Sequence, residues 1–317
     1  MFDFRYHALS LAAVLLALAV GVVIGVAIGD SNLVSSAKSG IVHDLSSEVN
    51  NAQQQAEQAR SQLTGEESFA NDLYPIAVHG LLSGKSIGLV FFGASSNGVN
   101  GYVRDAVTQA GGDLATVVAV REPIDLAGIA RLSGGTRFAA LAPAGGEKAE
   151  AGEAGAEVAA QTPAQGELLE GFGAIVGKQL VSGGANVERE LISRVRPRLL
   201  SAFDGQLGAL DGLVVMRNDP TTLTPEQAKA IAQLQTGLLD GVAKVGIPVV
   251  GVEVSSTEPS QIPWYQGKDL SSVDDLDTTA GQAALVYALT GSHGAYGTKS
   301  TADSLLPNVV GATTTTP

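Results

Sequence analysis

SIGLVFFGASSNGVNGYVRDAVTQAGGDLATVVAV, residues 86–120, carries two short apolar runs with a stretch of helical period between them. Ser86–Phe92 is almost continuously apolar, branched or aromatic, the composition of a parallel strand covered on both faces. GASSNG follows it. Val99–Ala110 then places apolar residues at helical spacing and closes on Gly111-Gly112, a helix stop. Leu114–Val120 reads as a second strand. Strand, turn, helix and strand in so short a run make a βαβ unit, and its connection demands parallel pairing.

The same alternation continues toward the C-terminus. Arg137–Leu141 suggests a further, shorter strand, and residues 143–166 are rich in Ala, Gly and Glu with few large apolar side chains. Such a segment does not bury enough to offset its ordering entropy, so it is expected to be an acidic loop. Helical patterns cover Glu167–Val181 and Val187–Phe203, with Pro197 expected to kink or divide the second. Gly212–Asp219 reads as a further strand. Thr224-Pro225-Glu226-Gln227 is a helix start, and Ile231, Leu234, Leu238 and Val242 then mark one face up to Gly246. Ile247–Glu253 is the next strand and Thr279–Leu289 the last helix; residues 292–317 read as a flexible Gly/Ser/Thr tail. The fold class is α/β, a Rossmann-like open parallel sheet over residues 75–291.

Toward the N-terminus the period changes twice. Ala8–Ile28 contains no charge, and its twenty-one residues would span about 31 Å as a helix, close to a bilayer's hydrocarbon core. Residues 1–30 are therefore a transmembrane helix. Ala13, Ala17, Gly21, Gly25 and Gly29 recur every fourth residue, a small-residue stripe suited to close pairing of membrane helices. Arg5 and His7 precede the span and Asp30 follows it, favouring a cytoplasmic N-terminus and a body outside. A cleaved signal is the alternative, and it exports the body equally. Over residues 31–74, Leu45, Val49, Ala52, Ala56, Ala59 and Leu63 step by four and three, a heptad seam. It predicts either a coiled-coil stalk in a homo-oligomer or a monomeric helix lying on the body. Thr64-Gly65 and Pro75 are expected to end it.

Composition narrows the chemistry. The 317 residues carry a net charge of −13, which excludes a nucleic-acid binder, and the chain has no Cys and four scattered His. In open α/β sheets ligands gather beyond the carboxyl ends of strands. The candidate lip is Ser95, Ser96 and Asn97 after the first strand, Asn218 and Asp219 after the third, and Glu253 with Ser255 after the fourth. The first loop matches neither G-x-G-x-x-G nor a P-loop, and no G-x-S-x-G occurs. Asp274, Asp275 and Asp277 cluster just before the last helix, where they would complement its dipole. The residues thus suggest no catalytic group, no metal site and no cofactor.

The order of parts resembles a known family. FRYHALSLAAVLLALAVGVVIG at the front, the coil, the α/β body, and VDDLDTTAGQAALVYALTGSHGAYGTKSTADSLLP near the end resemble the actinobacterial MctB family of mycobacterial envelope proteins. The strongest pieces are Arg5–Gly25, Val273–Leu289 and Gly294–Pro307. The resemblance implies a part in copper transport and copper homeostasis, as an envelope or outer-membrane channel that limits copper accumulation. It transfers no site residue. Two other readings fit the same parts: an oligomeric scaffold or sensor whose head binds a partner, and an anchored enzyme or nucleotide binder using the lip.

Overall fold

A computed structural model of the chain describes residues 4–29, 31–142, 163–183, 186–206, 208–218 and 223–308. Most of the acidic stretch, 143–162, and Asp219 of the predicted lip lie outside the described residues. The chain divides into two compact units, Met1–Ser68 and Phe69–Pro317.

The first unit is helical. Helix α1, Phe4–Ile28, contains a 22-residue apolar stretch, Tyr6–Ala27, long enough to cross a membrane. Its apolar side chains are exposed among the described residues: Leu16 and Val23 are each 68% exposed. A Cβ on Gly21 or Gly25 would meet open space, so the small-residue stripe has no partner within the described chain. Helix α2, Ser31–Val78, runs through both of its expected stops. The Thr64 hydroxyl donates to the Arg60 carbonyl at 3.0 Å and Ser68 to Thr64 at 2.8 Å, so these polar side chains back-bond to their own helix. Pro75 is tolerated because the last turn is held from outside. Tyr74 and Val78 are buried in the second unit, and the Tyr287 hydroxyl donates to the Ala77 carbonyl at 2.9 Å.

The second unit is built on β1 (Ser86–Phe92), α3 (Asn97–Gln109) and β2 (Asp113–Val120), the βαβ unit that the sequence predicts. There follow α4 (Leu126–Leu132), α5 (Pro163–Ser182), α6 (Asn186–Leu199) and β3 (Leu200–Gly205). Next come β4 (Gly212–Arg217), α7 (Pro225–Ala243), β5 (Val249–Val252), α8 (Ile262–Gln266), β6 (Ser271–Val273), α9 (Thr279–Leu289) and β7 (Ala295–Tyr296). The strand order is β3-β2-β1-β4-β5-β6-β7, every pair parallel except β2–β3. One buried cluster joins the sheet to α4, α5, α6 and α7; the other joins the opposite face to α3, α9 and the end of α2.

Three further expectations are corrected. Arg137–Leu141 is a 3₁₀ turn, because Phe138 and Leu141, three residues apart, bury together, and Phe138 meets Phe172 edge-on at 5.4 Å. The helix expected over Val187–Phe203 stops at Leu199, and Leu200–Gly205 adds to β2 as the antiparallel edge. The segment from Ser292 to Asn308 is no loose tail: Ala295–Tyr296 pairs with β6, and Tyr296 bridges to Ser304.

Helices α5 and α7 touch backbone to backbone. Gly173 and Gly177 face Leu234 and Leu238, while Gly237 and Gly241 face Glu170 and Ala174; a Cβ on any of the four would collide with opposing main-chain atoms. Backbone does not yield as a side-chain tip does, so the penalty lies at the upper end for overpacking. Gly237→Val is expected to destabilise the chain by about 3 kcal/mol, read from urea unfolding in detergent.

Candidate functional site

The carboxyl ends of the strands form a polar rim, and the order reverses between β1 and β4, the place where such sheets admit ligands. At this switch point Ser96 caps α3, its hydroxyl accepting from the Val99 N–H at 3.3 Å. Asn97 is the first residue of that helix and, like Ser95, is exposed. Asn218 reaches from the end of β4 to the β1 loop, its amide donating to the Ala94 carbonyl at 2.6 Å. Glu122, beyond β2, comes to the same place and accepts from Gln235 of α7 at 2.8 Å. Ser96 and Asn218 thus share one neighbourhood.

Glu253 belongs to a second group, two strands from β1. It is buried, and one oxygen accepts from the Ser260 hydroxyl at 2.8 Å and from the Lys299 ammonium at 2.6 Å. The other accepts from the Gln261 N–H at 2.5 Å. Lys299 also donates to the Thr257 carbonyl at 2.8 Å. Asp274, fully buried, receives the N–H groups of Thr298 and Lys299 at 2.8 and 3.0 Å. Gly297 makes that approach possible, since a Cβ there would occupy the Asp274 carboxylate and its φ of +138° suits glycine. Asp277 accepts from the Ser255 N–H at 2.7 Å and its hydroxyl at 2.6 Å.

The acidic triplet therefore does other work than the expected dipole pairing. Thr278 caps α9, accepting from the Gly281 N–H at 3.0 Å. Asp274 pins the C-terminal segment and Asp277 the loop after β5. Asp275 is buried beside Gly281 and receives the Thr278 hydroxyl at 3.1 Å, with no hydrogen bond to its Oδ1 among the described residues. Burial, with a smaller push from Asp274 and Asp277, raises its pKa. Burial pushes Asp277 up most, but the two bonds from Ser255, its own backbone N–H and the Lys299 charge together hold that carboxyl below its ordinary value.

Beside this lock, Arg217 lies 5.2 Å from the Trp264 ring centre and donates to the Gln261 side chain. The Tyr265 hydroxyl accepts from the Arg217 N–H at 2.8 Å and donates to the Val252 carbonyl at 3.1 Å. Lys299, Arg217 and Glu122 do not stand out in the sequence: none sits in a motif, and only folding brings them to the rim. The one available signal is a lone lysine in a Gly/Ser/Thr stretch of an acidic chain. Among the described residues, no three His, Cys, Asp or Glu side chains are arranged to hold a metal ion. An apolar cavity of about 20 Å³ between Val118, Leu180 and Leu238 lies in the core and is far below ligand size.

Two outcomes follow from the lock. Lys299→Met strands a buried carboxylate and should cost about 3 kcal/mol in urea unfolding, most of it recovered by adding Glu253→Gln. Asp275 has the opposite sign. A carboxyl with a raised folded pKa holds its proton more tightly when folded, so stability falls as pH rises through the ordinary carboxylate range toward the folded value. Asp275→Asn should therefore raise the melting temperature at neutral pH, with the gain fading as pH falls through that range.

The chain matches the family model described as "Copper transport outer membrane protein, MctB" over residues 1–307. It is 25% identical, over 319 aligned residues, to the copper transporter MctB of Mycobacterium bovis, covering 94% of this chain and 96% of that protein. The same values hold for the copper transporter MctB of Mycobacterium tuberculosis. This chain belongs to the MctB family.

Proposed function

We propose that this member of the MctB family is a membrane-anchored envelope protein acting in copper homeostasis, with helix α1 as its anchor and the α/β body outside the membrane. The observation that carries the reading is the extent of the family match, which runs from the apolar helix through the C-terminal lock. The relatives' names supply copper as cargo. Orientation rests on Arg5 and His7 before the span and Asp30 after it.

The fold constrains how such a role is carried out. A membrane barrel closes its first strand on its last, whereas β3 and β7 are separate edges of an open sheet. The described sheet therefore encloses no pore, and in this reading any copper path runs through assembled membrane helices or a partner. We assign the chain no catalytic step and no resident cofactor.

The test is deletion of the gene in its own host. Cell-associated copper, measured by elemental mass spectrometry, should rise and copper tolerance should fall. The full chain should restore both, and a chain lacking residues 1–30 should not. Unchanged copper content and tolerance in the deletion strain would overturn the reading.

A further inference from the structure

Helix α2 carries a long seam in the part that belongs to the first unit. Leu45, Val49, Ala52, Ala56, Ala59 and Leu63 step by four and three, so they fall on one side of the helix, at the inward positions of a heptad. The positions that face away from them hold only Ser, Asn, Gln and Glu. Among the described residues nothing covers the seam. Leu45, Val49 and Leu63 are 59%, 48% and 59% exposed, and the three alanines are exposed with them.

We propose that a second copy of this chain pairs along the seam, α2 beside α2, parallel and in register, as a two-stranded coiled coil that ends at Leu63. The step order makes Leu45 a d residue and Val49 an a residue, and a branched side chain at a with leucine at d favours two strands. In register each layer meets its own copy. Leu45, Val49 and Leu63 supply the large layers, and Ala52, Ala56 and Ala59 between them let a second backbone come close. The pairing stops where the pattern does. The next inward position holds Glu66, whose charge would face its own copy there, and the second unit begins at Phe69.

Polarity and charge select the occupant. A helix that lies on lipid presents a strongly apolar face edged with cations. Here three of the six inward residues are Ala, and residues 45–63 hold two Glu, one Arg and no Lys. A parallel, in-register pair instead sets Glu48 beside Gln53, Gln55 beside Arg60 and Gln62 beside Glu67 at the flanking positions. Each of these contacts joins a charge to an amide, and no like charges meet. Register favours an identical chain over a different one. Two copies that enter one membrane through α1 start α2 at the same height, and the shared membrane raises the effective concentration of a short, alanine-rich seam. The parallel register thus rests on α1 as the anchor, the reading proposed above, and does not depend on copper.

The chain has no Cys, so each introduced thiol reports on one position. Full-length Val49→Cys and Ala56→Cys, oxidised in native membranes, should run as disulfide-linked dimers without reductant. Gln54→Cys and Ser61→Cys, on the side of the helix away from the seam, should stay monomeric, since a disulfide needs Cβ atoms about 3.5–4.5 Å apart. Adding Ala56→Glu should abolish the Val49→Cys link. Linking at the outward positions as extensive as at the seam, no linking at the seam, or a Val49→Cys link that survives Ala56→Glu would overturn the proposal. So would a Val49→Cys chain that links only when mixed with Ala59→Cys, because those two positions face each other in an antiparallel pair centred on the seam. Washing the membranes with alkaline carbonate keeps this proposal apart from the anchor reading. A chain that is retained but does not link overturns the pairing and leaves the anchor; a chain that is washed out but still links at Val49→Cys overturns the anchor and leaves the pairing.

Discussion

A carboxylate taken out of water must find charge and hydrogen bonds inside the protein, and the carboxyl rim of this sheet is organised by that requirement. Glu253 and Asp274 end adjacent strands and are both buried. Their partners arrive from a segment more than twenty residues further on: the Lys299 ammonium on Glu253, and the Thr298 and Lys299 amides on Asp274. That demand makes a Gly/Ser/Thr-rich stretch into a seventh strand with a bridged turn. Asp277 holds the loop after β5 in the same way. The rim's right half is thus closed by the chain's own groups. Its left half, where Asn218 spans from β4 to the β1 loop, lies at the reversal of strand order.

Small residues perform a second organising task. Gly173, Gly177, Gly237 and Gly241 let α5 and α7 meet at main-chain distance over one face of the sheet. The spacing is the same four-residue step found in Ala13, Ala17, Gly21, Gly25 and Gly29 of α1. In the body the step has its partner helix within the chain. In α1, a Cβ on Gly21 or Gly25 would meet open space among the described residues. The same spacing thus has a partner helix in one unit and none among the described residues in the other.

In this member of the MctB family three unlike parts follow one another along the sequence. The apolar helix is long enough to cross a membrane, α2 carries apolar side chains that the described residues leave exposed, and the body is an α/β domain. The scattered His residues and the absence of Cys leave copper without an evident soft ligand set in the chain.

Local pattern was enough for much of this. Periodicity identifies the βαβ unit of residues 86–120, the capped helix at Thr224 with both bonds of its capping box, the helix at Thr279 and the membrane-length run, because each is stabilised by its own spacing and caps. What the sequence misleads on depends on distant partners. Arg137–Leu141 turns because Phe138 finds Phe172, Pro75 stays helical because Tyr74 and Val78 are held by the body, and Leu200–Gly205 extends because β2 offers an edge. The rim shows the division most clearly. Composition located three carboxylates before a helix, but only the tertiary structure, by burying Asp274 and Glu253, decided that Lys299 and its neighbours must fold back to neutralise them.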